Sequence, residues 1–267
     1  MTEITWVLES DVFPETHAGL RRAISERGMK IVDWCDSWWY DGFPNSISGI
    51  NTIFHGSLGN ASAINEKLDW SPGALCNSSA LECSSWYEAA KRWLIHDDYR
   101  ILPANELVAN TKAVAEELGS PTQLFLRPDS PLKPFSGRVL NVDAITLKAL
   151  DHGFYFDDES IPVVVAPVRN IGKEWRFVVV GSEVVAGSEY DTQTRSATSD
   201  NPDSRAWNLA NVIAGEIPQP SSAYMLDICE SENELRLLEL NPFGGADLYG
   251  CDPDSIVESV SKLISFE

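Results

Sequence analysis

The chain has 267 residues, 43% hydrophobic and 22% charged, enough apolar material for one large folded domain or two ordinary ones. Its 40 acidic and 20 basic side chains give a formal charge of −20. So acidic a chain argues against nucleic acid or an anionic membrane as partner, since both require a basic surface. The opening residues lack the basic and apolar regions of a signal peptide, and no stretch approaches the roughly 20 apolar residues of a membrane span. Cys35, Cys76, Cys83, Cys229 and Cys251 are scattered with no CxxC pair, so reduced thiols in a cytoplasmic protein are expected.

In chain order, residues 4–8 read as a short strand. Residues 15–27 follow Pro14, place Leu20 and Ile24 at helical spacing and stop at Gly28, which predicts a helix. Strands are expected at 30–32 and 51–55. Ser85-Trp86-Tyr87-Glu88 has the form of a capping box for a helix reaching about residue 94, and 105–118 is the next helix, closed by Gly119. Strands alternating with helices predict a small α/β domain over residues 1–100. Beyond it the pattern changes. Strand-like runs at 123–127, 138–140, 163–168, 174–180, 184–190, 224–230 and 235–241 are interspersed with helices at 142–151, 202–214 and 254–264. Residues 101–267 therefore read as an antiparallel-rich α+β domain.

The densest chemistry lies near the end. Residues 224–230 and 235–241 flank a polar turn, Ser231-Glu232-Asn233-Glu234, and form a hairpin. With the turn centred on Asn233, Asp227 lies opposite Glu239, and period-two alternation puts Asn241 on the face of Glu239. Three oxygen donors then converge, and Mg²⁺ takes one or two carboxylates with phosphate oxygens completing its shell. The alternative is an edge hairpin with exposed acids. Leu124-Phe125-Leu126-Arg127 delivers an arginine to a strand end, ahead of a loop carrying Lys133 and closing at Gly137. Arg127 offers a planar fork and Lys133 a point charge to phosphate oxygens, although surface loops also carry such residues. Glu174 and Arg176 share a strand face with Trp175 opposite. Arg176 suits a transferring phosphoryl group and Glu174 could orient it, or the two form a same-face ion pair. The apolar run ending at Val165-Ala166-Pro167-Val168 could offer an adenine slot, with the Ala166 carbonyl and Val168 amide as partners, or could be a core strand.

In this order the motifs resemble the ATP-grasp superfamily, and in particular small ATP-grasp proteins of bacteria and phages. Glu239-Leu240-Asn241-Pro242 is the most specific match. The resemblance spans about residues 100–267 and implies an ATP-grasp fold, α+β subdomains gripping ATP, behind the small α/β domain. It implies Mg²⁺ at Asp227, Glu239 and Asn241, and nucleotide contacts from Arg127, Lys133, Val165, Ala166, Pro167, Val168, Glu174 and Arg176. Arg176 and Lys133 are implied as the catalytic cations. Arg127 stands where many members have lysine, the lid loop has less glycine, and Ala166-Pro167 replaces the usual hinge acid. The implied reaction is ATP-dependent ligation of a carboxylate, on a small molecule or peptide, to an amine co-substrate through an acyl phosphate. A hydroxyl kinase and a non-catalytic ATP-binding module are the other readings.

Further features receive mainly structural readings. His17, His55, His96 and His152 show no pairing in sequence, so no general base is assigned. Gly56-Ser57-Leu58-Gly59-Asn60 could present amides to an anion at a helix start, or form an ordinary turn. Trp34, Trp38, Trp39 and Tyr40 form a cluster suited to packing or to an acceptor site. Residues 191–203 read as a mobile rim loop from which Arg195 could reach substrate.

Overall fold

A computed structural model describes residues 3–150, 158–194 and 196–266. His152, Arg195 and the end of the helix expected at 142–151 lie outside the described residues. Three sheets carry the architecture. The first is parallel, in the order Lys30–Asp33, Thr5–Leu8, Ile50–His55, Ser71–Gly73. Parallel neighbours need long crossovers, supplied by helices Pro14–Glu26 and Leu58–Lys67. Pro14 opens the first of these, and Gly28, at φ +66°, supplies the left-handed stop.

The second sheet is antiparallel: Arg100–Pro103, Pro162–Ala166, Gln123–Pro128, Arg138–Asn141. The third holds five antiparallel strands, Ser196–Ser199, Glu183–Asp191, Glu174–Val180, Ala223–Ser231 and Glu234–Pro242. Its two faces meet different neighbours, as period-two alternation requires. Trp175, Phe177, Leu226 and Ile228 pack with Trp86 and Tyr87 of helix Cys83–Ala90 and with Ala206 and Ile213 of helix Ser204–Glu216. On the opposite face, Val178 and Met225 join Trp6, Leu20 and Ile24 from the parallel layer, together with Ile256 and Val260 of helix Pro253–Lys262. Arg176 and Asp227 belong to this second face by the same alternation. The functional side chains are thereby aimed toward the N-terminal elements.

Several local expectations need correction. The proposed capping box does not form: the helix begins at Cys83, and Ser85 Oγ instead donates to the Ser79 carbonyl. The cap comes from distant Asp129, whose carboxylate accepts from Ser84 N at 2.7 Å and from Ser84 Oγ at 2.8 Å. The long helix expected from residue 142 begins as the single 3-10 turn Val142–Ala144 and continues as the short helix Leu147–Leu150. Part of the expected rim loop is strand Ser196–Ser199. Trp34, Trp38 and Trp39 interlock with Phe43, Phe54 and Trp70 at ring separations of 5.2–6.5 Å, the packing alternative, while Tyr40 stays exposed. All five thiols are free, and among the described residues no helix is long and apolar enough to cross a membrane.

Candidate active site

The hairpin Ala223–Ser231/Glu234–Pro242 builds the site. Its turn is two residues long: Glu232 and Asn233 lie at φ +53° and +67°, the left-handed pair that fits strand twist. From that turn alone Asp227 would face Leu238. A bulge between Asp227 and Ile228 absorbs one residue, so Asp227 pairs with Glu239. The expected pairing is present, but through a bulge rather than a turn centred on Asn233. The bulge also lets consecutive Leu238 and Glu239 both reach one cavity, which a regular strand forbids.

Asp227 lies between Glu239 on one neighbouring strand and Arg176 on the other. The Arg176 guanidinium grips it through Nε to Oδ1 at 2.8 Å and a terminal nitrogen to Oδ2 at 2.6 Å, and Asn241 Nδ2 donates to Oδ2 at 3.2 Å. Asp227 is fully buried. Burial pushes its carboxyl up to about 6, against the pull of Arg176. Glu239 is held differently. Lys133 stands 3.2 Å away, Arg127 3.4 Å and Arg176 3.9 Å, all longer than the contacts Asp227 makes with Arg176. Burial works to raise the Glu239 carboxyl, but Lys133, Arg127 and Arg176 together hold it far below the ordinary carboxylate range. Asp227 is therefore committed to one tight bidentate pair, while Glu239 is shared loosely by three cations.

The cations have their own supports. Arg127 is buried at the end of Gln123–Pro128, with the Tyr87 hydroxyl and Cys83 thiol beside its guanidinium. Lys133 adopts φ +52°, a strained setting for a non-glycine residue, in the loop before Arg138–Asn141. Arg176 also donates to the Asp247 carbonyl at 2.9 Å and lies 5.0 and 5.5 Å from the rings of Tyr249 and Tyr190, which stack on each other. Glu174 does not pair with Arg176. Its carboxylate accepts from Tyr190 Oη at 2.9 Å and from Thr192 Oγ1.

These residues face a cavity of about 520 Å³, a size suited to a cofactor-sized ligand. Arg127, Lys133, Glu174, Arg176, Glu239 and Asn241 line it. Asp227 does not, being one layer deeper behind Arg176. Val165, Ala166, Pro167 and Val168 do not line it either. The strand ends at Ala166, and Val165 and Ala166 are buried in the sheet. The apolar wall comes from Phe125, His96, Ile171 and Leu238. Phe125 pairs with Ala166 in the sheet, and His96 stacks on Phe125 at 4.3 Å, covering the ground expected of the 165–168 edge. Both His96 ring nitrogens lack hydrogen-bond partners, and burial lowers its pKa to about 4. Of these, only Phe125 had a sequence signal, two residues before Arg127 on one strand face.

The far wall is formed by Phe13, Leu58, Gly245, Ala246 and Asp247. A Cβ on Gly244 would stand 2.0 Å from the Ala74 carbonyl oxygen, so the chain after Asn241-Pro242 passes too close to the parallel layer for a side chain. Beneath it His17 Nε2 and His55 Nδ1 lie 2.9 Å apart, a buried pair that no sequence spacing indicated. The amide cradle at 56–60 serves the protein itself. Ser57 N binds the Glu9 carboxylate at 2.7 Å, Asn60 N binds Ser57 Oγ, and Gly56 N binds the Gly244 carbonyl.

The donor set fits a hard divalent cation in one respect: Glu239 and Asn241 turn side chains into the cavity, and the cations around Glu239 come no closer than 3.2 Å. Among the described residues no group of three or more His, Cys, Asp or Glu forms a self-sufficient metal cage, so phosphate oxygens would have to complete the shell.

A family model for an ATP-grasp domain, the third family of its clade, matches residues 60–260. Three solved structures illustrate the likeness in fold. The D-cycloserine synthetase DcsG superposes at a TM-score of 0.66 with 12% identity, covering 98% of this chain and 100% of that one. A D-alanine–D-alanine ligase from Bacillus anthracis, complexed with ATP, gives 0.61 at 12% identity and covers 100% and 99%. The ATP-grasp ligase PsnB, complexed with a minimal precursor, gives 0.58 at 14% identity and covers 98% and 100%. No curated protein sequence matches significantly.

Proposed function

We propose, from the premise that this chain belongs to the ATP-grasp domain family whose model spans residues 60–260, that it is an ATP-dependent carboxylate–amine ligase using Mg²⁺. The observation carrying this reading is Glu239, loosely shared by Arg127, Lys133 and Arg176 in one cavity that also has an apolar wall. Mg-ATP, when bound, would supply the phosphoryl group that converts a carboxylate into an acyl phosphate. Glu239 and Asn241 would hold the metal ion, and Asp227 supports them from below through Asn241 Nδ2. Arg127 and Lys133 bind phosphate oxygens. Arg176, fixed by Asp227 in a planar grip, keeps its positive charge where phosphoryl charge develops and needs no reorganisation to do so. Phe125, Ile171 and Leu238 offer the base an apolar slot, with the 165–168 edge at its margin. Holding both reactants in one cavity lowers the entropic part of the barrier. The three structural relatives are named as ligases or a synthetase, which supports C–N bond formation, on a small molecule or a peptide.

The test is an ADP-release screen with Mg-ATP over amino acids, short peptides and other carboxylates, each with and without amines. ADP with free phosphate and a new amide is the expected outcome. ADP with a phosphorylated hydroxyl would replace this reading with a kinase, and nucleotide binding without ADP would replace it with a non-catalytic module.

A further inference from the structure

Among the described residues three carboxylates line the cavity, and they are not equivalent. Glu239 is surrounded by cations, and both oxygens of Glu174 are taken by hydroxyls. Asp247 differs from both. Its Oδ1 accepts from Thr16 Oγ1 at 2.6 Å and from Tyr249 N at 3.0 Å, which fixes the carboxylate plane. Its Oδ2 is bonded by no described residue, and among the described residues no Lys or Arg forms an ion pair with it. In a cavity that otherwise gathers positive charge, this is an oriented carboxylate with one unoccupied oxygen. It sits on the wall contributed by Phe13, Leu58 and Ala246, yet its own backbone carbonyl accepts from Arg176 at 2.9 Å. A group held by Oδ2 is therefore placed beside the phosphoryl-handling cations.

We propose that Asp247 is the amine-recognition residue of this site: Oδ2 accepts an N–H of a protonated primary amine and so selects a cationic co-substrate. The proposal rests on the ligase reading above. The carboxylate substrate, being anionic, belongs with Arg127, Lys133 and Arg176. An ammonium group would be repelled there and is drawn to the one carboxylate oxygen that no described donor has claimed. Phe13 and Leu58 supply apolar surface for the carbon chain of that amine. A purely structural role needs only Oδ1, because Oδ1 alone receives both protein hydrogen bonds.

That division of labour makes Asp247→Asn a clean probe, since asparagine keeps an acceptor at Oδ1 and replaces the charged oxygen with a neutral donor. The assay uses Mg-ATP, the carboxylates that wild type activates in the screen above, and two kinds of nucleophile. One is hydroxylamine, uncharged at neutral pH; the other is a panel of primary alkylamines and amino-acid amides, protonated at neutral pH. Asp247→Asn should keep nucleotide affinity and hydroxamate formation within about twofold. Its kcat/KM for the protonated amines should fall roughly 10- to 100-fold, mostly through KM, as expected for one lost charge-assisted hydrogen bond. Thr16→Val, which removes a contact to Oδ1 and leaves Oδ2 charged, should resemble wild type. Equal loss with both nucleophiles, no loss with either, or the same profile in Thr16→Val would each overturn the proposal. A wild-type protein that binds nucleotide yet gives neither hydroxamate nor amide overturns the ligase reading itself, and the role of Asp247 with it.

Discussion

The two walls of the cavity are built by opposite means. On the hairpin wall, Asp227, Glu239 and Asn241 come from 15 consecutive residues, and charge is handled by close pairing: Arg176 on Asp227, three cations around Glu239. On the N-terminal wall, contacts such as Thr16 to Asp247 join residues 231 positions apart, and the buried titratable groups are histidines kept neutral. The first wall is a local device that a strand period can specify. The second exists only once the chain has folded.

The largest effect that would break this contrast is at Glu239. Glu239→Gln removes the charge that three cations share and should lower Mg-ATP-dependent turnover by roughly 100- to 1,000-fold, measured as ADP release, the range for losing one preorganised electrostatic contact. Next is the buried pair. Arg176→Met leaves a fully buried carboxylate unpaired and should cost about 3–5 kcal/mol in denaturant unfolding. The double variant Arg176→Met/Asp227→Leu should recover most of that loss. Recovery by Arg176→Lys instead would show that charge alone, rather than the bidentate fork, holds Asp227.

Acid should separate the two walls as well. Burial lowers His17, His55 and His96 below the ordinary imidazole value, His96 to about 4. The unfolded chain takes up protons on these rings near pH 6.5, whereas the folded protein does so only lower. Stability fully present above about pH 6.5 is therefore lost as pH falls from there toward 4, by up to about 3 kcal/mol for His96 alone. Thermal melts from about pH 7.5 to 4.5 should show the decline, and His96→Phe should flatten it. A decline unchanged in that variant would remove His96 from the explanation. The smallest effect lies on the apolar wall, where Leu238→Ala should weaken nucleotide binding by roughly 3- to 10-fold, consistent with about 1 kcal/mol of lost burial, and leave stability nearly unchanged.

What could be read from the sequence follows the same division. The strands and their faces were legible because Val-rich runs alternate cleanly, and Glu174–Val180 was placed residue for residue. The opposition of Asp227 and Glu239 was legible too, although the assumed turn was one residue too long and the unseen bulge restored the pairing. Spacing did not reveal depth: nothing in 224–230 distinguishes a cavity-lining acid from one behind Arg176. The cap on helix Cys83–Ala90 was misread because Asp129, 45 residues from Ser84, supplies it in place of local Ser85. The base slot was expected at the 165–168 edge, whereas His96, distant in sequence from Phe125, stacks there. His17 and His55 met for the same reason, across two elements of the parallel layer.

The central claim is that Glu239 and its cations form a metal–nucleotide site, and equilibrium binding of a non-hydrolysable ATP analogue, with and without Mg²⁺, tests it most directly. The account predicts that wild type binds the analogue and that Mg²⁺ tightens it. Glu239→Gln should lose the tightening while retaining metal-free binding. Wild-type protein that ignores the nucleotide, or a variant in which Mg²⁺ tightens binding as much as before, would contradict it.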